Sequence, residues 1–252
     1  MSFDVSADAY ARFMGRWSEP LAVEFVSRAG VLAGQRALDV GCGPGALTAG
    51  LVELLGSEAV TAIDPSASFV AAVRDRFPAV DVQRGAAEHL PFPDDAFDVT
   101  LAQLVVHFMT DPVAGLAEMA RVTRPGGRVA ACVWDHAGGG GPLAVFWEAV
   151  RDLDPQAHDE SGLAGAREGH LAELCASAGL HEVESTTLAV TVHFPTFDDW
   201  WEPFTFGVGP AGAHLAQLDD DGRATVRDRC EELLPPAPFA LTASAWCAVA
   251  RA

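Results

Sequence analysis

Lysine and asparagine are missing from this chain, and tyrosine occurs only once, at Tyr10. Every basic residue is therefore an arginine, and 16 of them stand against 35 Asp and Glu for a formal charge of −19. A surface with that excess repels phosphate backbones and anionic lipid, so no nucleic acid and no membrane surface is expected as a partner. Cysteine is sparse: five, widely spaced, without a C-x-x-C pair, which argues against a disulfide frame or a zinc site. Neither a basic-plus-apolar leader nor an apolar run of bilayer length is visible, and a cytoplasmic location is expected. The acidic run Asp219-Asp220-Asp221 lacks His or further carboxylates at ligand spacing, so it reads as a solvated turn and no metal is expected.

What is present is organised around Ala37-Leu38-Asp39-Val40-Gly41-Cys42-Gly43-Pro44-Gly45-Ala46-Leu47-Thr48. A short apolar strand runs into a glycine turn and then into a helix. The turn lets a ligand approach the backbone closely, and it delivers free N–H groups at the positive end of a helix dipole. A nucleotide-like ligand suits such a place. Gly41-x-Gly43-x-x-Ala46 also satisfies the loose dinucleotide pattern G-x-G-x-x-G/A. Asp39 shifts the balance, because a dinucleotide fold normally has an apolar residue there, whereas a carboxylate can face a cation or order the turn.

Beyond Arg36, strand and helix patterns alternate. Strands are predicted over 37–40, 59–63, 80–83, 97–102 and 127–134, with helices over 47–55, 67–76 and 113–122 between them. Repeated βα units of this length imply a parallel sheet with helices on both faces, and ligands then bind beyond the carboxyl ends of the strands. Asp64 directly follows the second strand, where a carboxylate can accept from the vicinal hydroxyls of a ribose or from its own Asp-Pro-Ser turn.

The apolar-Asp-Val-Gly-x-Gly-x-Gly stretch resembles the first motif of the class I S-adenosylmethionine-dependent methyltransferases. The resemblance continues through Gly85-Ala86-Ala87-Glu88, Leu90-Pro91-Phe92, Phe97-Asp98, Glu118-x-x-Arg121-Val122 and Pro125-Gly126-Gly127, in order and spacing. It implies S-adenosyl-L-methionine as cofactor, bound by Arg16, Asp39, Gly41, Cys42, Gly43, Asp64, Pro65, Ala86, Ala87, Glu88 and Gln103. One departure stands out: Ala86 occupies the place of the family's usual Asp, which commonly accepts from the adenine amino group; either Glu88 replaces it or the site leaves that group to water. The resemblance also implies an α/β fold, a doubly wound, mostly parallel seven-stranded sheet of Rossmann-like form with a reversed last strand. Residues 1–252 then read as one domain, with an N-terminal helical lid over 1–35, a cofactor-binding core over 36–135 and an inserted substrate-side subdomain over 195–238.

The outer segments carry the candidates for the acceptor. The N-terminal stretch combines Tyr10, Arg12, Arg16 and Trp17, and the insertion carries Trp200 and Trp201; these aromatics, with Trp134, either fill core or face a substrate. Helices are predicted near 143–153 and 166–178, strands over 182–194 and 239–250, and a hinge at Gly138–Gly141. Methyl transfer needs in-line placement more than an obligatory triad or metal. If a base is used, His107 and His136, which follow the fourth and fifth strands, are the candidates for one titrating near neutrality; the other reading of His107 is a partly buried ring packed beside Phe108, and that packing reading is the favoured one. Without asparagine an Asn-Pro-Pro-Tyr element of amide and adenine-amine methyltransferases is impossible, and no Pro-Cys nucleophile appears. The expected partner is therefore a small aromatic or lipophilic acceptor. Two rivals stay open: a protein of this fold that binds the cofactor without methylating, and an NAD(P)-dependent oxidoreductase, against which Asp39 and the later motifs speak.

Overall fold

A computed structural model of the chain describes residues 10–252. The part of the expected lid that falls on residues 1–9 lies outside the described residues.

A π-helical turn, Ala11–Gly15, runs straight into helix α1, Arg16–Ala29. The α1 sequence places Trp17, Leu21, Ala22, Phe25, Val26 and Ala29 at helical spacing, and all are buried; Gly30 ends it in the left-handed region at φ 64°. The alternating core follows: β1 Ala37–Val40, α2 Ala46–Leu55, β2 Val60–Asp64, α3 Ala67–Arg76, β3 Asp81–Arg84, β4 Phe97–Gln103 and α4 Pro112–Val122. Helix α4 starts where its residues dictate, with Pro112 in the first turn and the Asp111 carboxylate accepting from Ala114 N–H at 3.0 Å. Strand β5 Thr123–Trp134, α5 Ala144–Leu153, α6 His170–Ser177, β6 His181–Phe194, α7 Phe197–Trp201, α8 Gly209–Gln217, α9 Asp220–Leu233 and β7 Phe239–Arg251 complete the order.

The seven strands form one sheet in the order β3-β2-β1-β4-β5-β7-β6. β1 pairs in parallel with β2 and with β4, β5 pairs in parallel with β4, and β7 runs antiparallel to both β5 and β6. The expected reversed last strand is thus observed. Successive units step outward through β2 and β3 on one side of β1 and through β4 and β5 on the other. The crevice of such a sheet lies beyond the carboxyl ends of β1 and β4, where the order turns round.

Period-two alternation sorts the core into two layers. Ala37, Val99, Leu101, Cys132 and Trp134 belong to the cluster shared with α1, α2 and α5, whereas Leu38, Val40, Ala102, Ala131 and Val133 pack with α4 and α6. The α1 layer also takes in Trp200, Trp201 and Phe204 from the segment between β6 and β7. That segment is anchored at its start by a capping box in which Thr196 and Asp199 each accept from the other's backbone N–H.

Three local expectations are corrected. Strand β5, expected over 127–134, begins already at Thr123: Pro125-Gly126-Gly127 bulges within it, so that Phe97 pairs Thr123 but Val99 already pairs Arg128. The glycine run 138–141 is no hinge: Gly138, Gly140 and Gly141 all donate their N–H groups to Asp135, and Gly140 O accepts from Ser244 N–H at 2.7 Å. A Cβ on Gly138 would lie 2.5 Å from the Asp135 carboxylate, so glycine there serves tight wrapping and not mobility. Helix α6 begins at His170, later than predicted, because Gly169 stands at φ 77° directly before it.

Candidate functional site

A cavity of about 560 Å³ opens at the carboxyl ends of β1 to β4. Its size falls within the roughly 300–1,000 Å³ of sites for a drug-sized ligand. Each strand contributes from the residues that follow it: Gly41 and Gly43 from β1, Asp64 to Phe69 from β2, Arg84 to Glu88 from β3, and Gln103 to Val105 from β4. Tyr10, Phe108, Met109 and Thr110 complete the wall.

The glycine turn owes its shape to close packing. Gly41 stands at φ 70°, and a Cβ on it would lie 2.5 Å from Val105, so only glycine fits. Gly41 and Cys42 both donate N–H to the Ile63 carbonyl, at 2.7 and 3.1 Å, which ties the turn to β2. Asp64 joins two turns: one carboxylate oxygen accepts from Gly43 N–H at 2.9 Å and the other from Ser66 N–H at 2.8 Å. Each oxygen keeps a further lone pair for a ligand hydroxyl. Burial raises the Asp64 carboxyl above its ordinary range, against those two hydrogen bonds.

Asp39 is hidden more deeply, 1% exposed, and accepts from the Thr48 hydroxyl at 2.6 Å. Burial first, and then the charge of Asp64, push its carboxyl up to about 7. With Cys42, Ser18 and Tyr10 it lines a small hollow, about 30 Å³, that shares Gly41, Gly43, Gln103 and Leu104 with the main cavity. Among the described residues neither Asp39 nor Asp64 forms an ion pair with arginine. Two buried acids without cationic partners favour a positively charged ligand. A third group points the same way: Gln103 donates from Nε2 to Ser18 O at 2.9 Å, while its buried Oε1 has no partner. An ammonium or sulfonium and a ribose therefore fit this lining. Among the described residues no group of three His, Cys, Asp or Glu is placed to hold a metal ion.

Of the residues expected at the cofactor, Gly41, Gly43, Asp64, Pro65, Ala86, Ala87, Glu88 and Gln103 come together around the cavity. Asp39 and Cys42 reach the hollow beside it. Ala86 leaves its stretch of wall without a carboxylate, and Glu88 is partly engaged, one oxygen accepting from Thr110 N–H at 2.7 Å. Arg16 lies elsewhere: it donates to Asp199 O at 2.9 Å and its guanidinium stacks 5.2 Å from the Phe194 ring, joining α1 to the segment after β6.

The expected acceptor residues divide. Tyr10 lines the cavity, edge-on to Phe69, and its hydroxyl is pushed up to about 12 by burial and by Asp64. Trp17, Trp134, Trp200 and Trp201 are 4, 2, 3 and 7% exposed and belong to the α1 layer of the core. They do not line the cavity. His107 is also buried, 3.9 Å from Phe108 and 5.8 Å from His136 by ring centres. Burial holds the His107 ring well below the ordinary histidine value and brings His136 down to about 4. These shifts and the contact with Phe108 favour the reading of His107 as a packed ring over that of a base titrating near neutrality. Sequence reasoning missed Leu104 and Val105, which shape the wall; Leu104 adopts φ 61°, a conformation that costs a bulky side chain energy and leaves no mark in the sequence.

Residues 38–131 match the family model described as a methyltransferase domain. The chain is 38% identical over 136 residues to an uncharacterized methyltransferase of Mycobacterium tuberculosis, covering 54% of this chain and 52% of that one. It thus spans about half the length of that relative. It is 30% identical over 171 residues to the demethylmenaquinone methyltransferase of Renibacterium salmoninarum, covering 68% of this chain and 70% of that one. In fold it is similar to phosphoethanolamine N-methyltransferase 2 of Haemonchus contortus in complex with S-adenosyl-L-methionine, with a TM-score of 0.61 at 17% identity, covering 97% of this chain and 56% of that one. A glycine turn at a strand switch point, two buried acids without an arginine partner and these relatives agree: the chain belongs to the class I S-adenosylmethionine-dependent methyltransferases.

Proposed function

We propose that the protein transfers the sulfonium methyl group to a small aromatic or otherwise lipophilic metabolite. The observation that carries this reading is the contrast within one cavity, whose lining includes both the buried acid Asp64 and the apolar residues Leu104, Val105, Phe108 and Met109. The acid side suits the cationic cofactor and the apolar wall suits an acceptor without charge. The Renibacterium salmoninarum relative, whose name gives demethylmenaquinone, a lipophilic quinone, as its acceptor, supports the same class.

When bound, S-adenosylmethionine supplies an electrophilic methyl group that is displaced in line. Around it, Asp64 is assigned to the ribose hydroxyls, Gln103 Oε1 and Asp39 to the cationic amino-acid end, and the Ala87 backbone to the adenine. Tyr10, at the start of the N-terminal segment, closes over the cofactor. Alignment and exclusion of water then carry the reaction. Purified protein given isotopically labelled cofactor and a metabolite extract, followed by mass spectrometry, should yield a labelled aromatic or lipophilic product. Cofactor binding without any labelled product would overturn methyl transfer, and a labelled polar product would overturn the acceptor class.

A further inference from the structure

Helix α4 carries a buried glycine in its interior, Gly115. Glycine is disfavoured there against alanine, because it gives up more backbone freedom on folding. Its backbone makes no use of that freedom: it is ordinary helix, and its N–H donates to Asp111 O at 3.0 Å. What the position lacks is room. A Cβ on Gly115 would lie 2.5 Å from Met109 Sδ and 3.3 Å from Met109 Cε, with the Ala87 Cβ at 3.4 Å.

Those two neighbours are both cavity wall, Met109 from the turn after β4 and Ala87 from the turn after β3. Gly115 is not part of the wall, yet it lies where the two stretches meet. The same junction is tied one residue further on, where Glu88 accepts from Thr110 N–H at 2.7 Å. A methyl group at position 115 would displace the thioether and not the helix, since the nearest atoms belong to the end of a flexible side chain. On its inner side Met109 packs against the buried cluster that holds Ala87, Leu116 and Met119. The thioether therefore yields toward its open side, which is the cavity. Glycine keeps that space clear. Because the Ala87 backbone is assigned to the adenine, the thioether beside it falls at the same end of the cofactor. A thioether is soft and polarizable and packs well against an aromatic ring.

We infer that Gly115 is a positioning residue for the cofactor: by seating Met109 back against α4 it sets the width of the adenine end of the cavity, where the Met109 thioether packs on the adenine ring. Leu104, Val105 and Phe108 are then the acceptor's share of the apolar lining. The inference rests on the methyltransferase reading above and goes beyond it in naming a residue that acts without touching a ligand.

The test is calorimetry on the full chain with two probes, S-adenosylhomocysteine and methylthioadenosine, which keeps adenine and ribose but has no amino-acid end. Wild type is compared with Gly115→Ala, Met109→Ala and the double variant, well below their melting transitions. Gly115→Ala should weaken both probes by a similar factor, about tenfold, the usual size of an overpacking effect. Met109→Ala should weaken both in the native background but strengthen them in the Gly115→Ala background, where the thioether is the obstacle. That reversal of sign is what a merely structural glycine would not produce. Equal affinities of wild type and Gly115→Ala, or additive effects in the double variant, overturn the inference. Loss of S-adenosylhomocysteine affinity with methylthioadenosine unaffected overturns it too, because the thioether would then stand at the amino-acid end. If Gly115→Ala fails to fold, Met109→Ala decides alone, and unchanged methylthioadenosine affinity overturns the inference. Failure of the wild type to bind S-adenosylhomocysteine strikes the cofactor reading, whereas binding without the reversal strikes the role of Gly115 alone.

Discussion

Asp64 and Asp39 are both buried acids at strand ends, yet their surroundings set them different tasks. Asp64 lines the cavity and holds two turns by backbone N–H groups, so Asp64→Ala should weaken S-adenosylmethionine binding by about 1–3 kcal/mol, roughly ten- to a hundredfold, in calorimetry. Unchanged affinity would remove it from the ribose. Asp39 is a question of pH. Its folded carboxyl lies at about 7 against an ordinary 3.8, so between those values the folded chain binds a proton that the unfolded chain has lost. The stability this group contributes is therefore present at acid pH and falls as pH rises through about 7. Asp39→Asn keeps an acceptor for Thr48 and cannot ionise. Relative to the variant, the ligand-free wild type should lose melting temperature from about pH 5 to pH 8, and a constant difference would contradict the burial argument. Asp64 and Glu160 are raised acids too and slope the same way, which is why the difference between the two proteins is the quantity to read.

His107 belongs beside them as a buried group whose ring burial holds neutral. With both rings held neutral by burial, activity between about pH 6 and 9 should owe no inflection to His107 or His136. His107→Ala, which removes the ring packed against the cavity residue Phe108, should lower turnover about tenfold with the same pH profile as wild type. A profile that flattens only in the variant would restore the titrating base.

The turn before α1, α1 itself, the end of β6 and the segment that follows it share one buried cluster. Phe13 meets Phe204 edge-on at 5.4 Å, Trp17 lies 5.9 Å from Phe194, and Trp201 stacks with Phe197 at 6.2 Å. The exposed pair Arg12–Glu202 adds little to this, as surface ion pairs usually do. The aromatic excess of that segment, readable as a substrate cover, is here core. Trp201→Ala should accordingly cost about 3–5 kcal/mol of stability. Thermal melts should show the loss, while cofactor affinity measured well below the transition stays nearly unchanged. A stable variant with a raised Michaelis constant for the acceptor would return Trp201 to the substrate.

With 16 basic residues against 35 acidic ones, the folded chain carries a charge that opposes its own compactness. Raising salt from about 0.02 to 0.3 M shortens the screening length several-fold and should raise the melting temperature. The same charge predicts no retention on a polyanion such as heparin. Retention would reveal a local arginine patch hidden by the total. No helix among the described residues is long and apolar enough to cross a membrane.

The residues of Ala37 to Trp134 were legible because their information is local. Apolar periods of two and near four, a glycine turn and an acid after a strand each depend on neighbours within a few positions. The βα series and the cavity's position at the strand ends follow from these, and the resemblance to the methyltransferases added part of its wall. The same locality misled at Pro125-Gly126-Gly127, which breaks a chain in isolation but is absorbed as a bulge because β4 offers the pairing. Gly138–Gly141 likewise looked mobile until Asp135 collected its N–H groups. Aromatic content could not say which of its sides faces a ligand, since Trp134, Trp200 and Trp201 differ from Tyr10 only in what other elements lay over them. Whether His107 titrates, whether Asp39 keeps its proton, and which polar atoms remain unpaired depend on burial and on partners far away in the chain. Those are long-range quantities, set when α1 and the late aromatic segment close over the ends of β4 and β5, and only the assembled fold decides them.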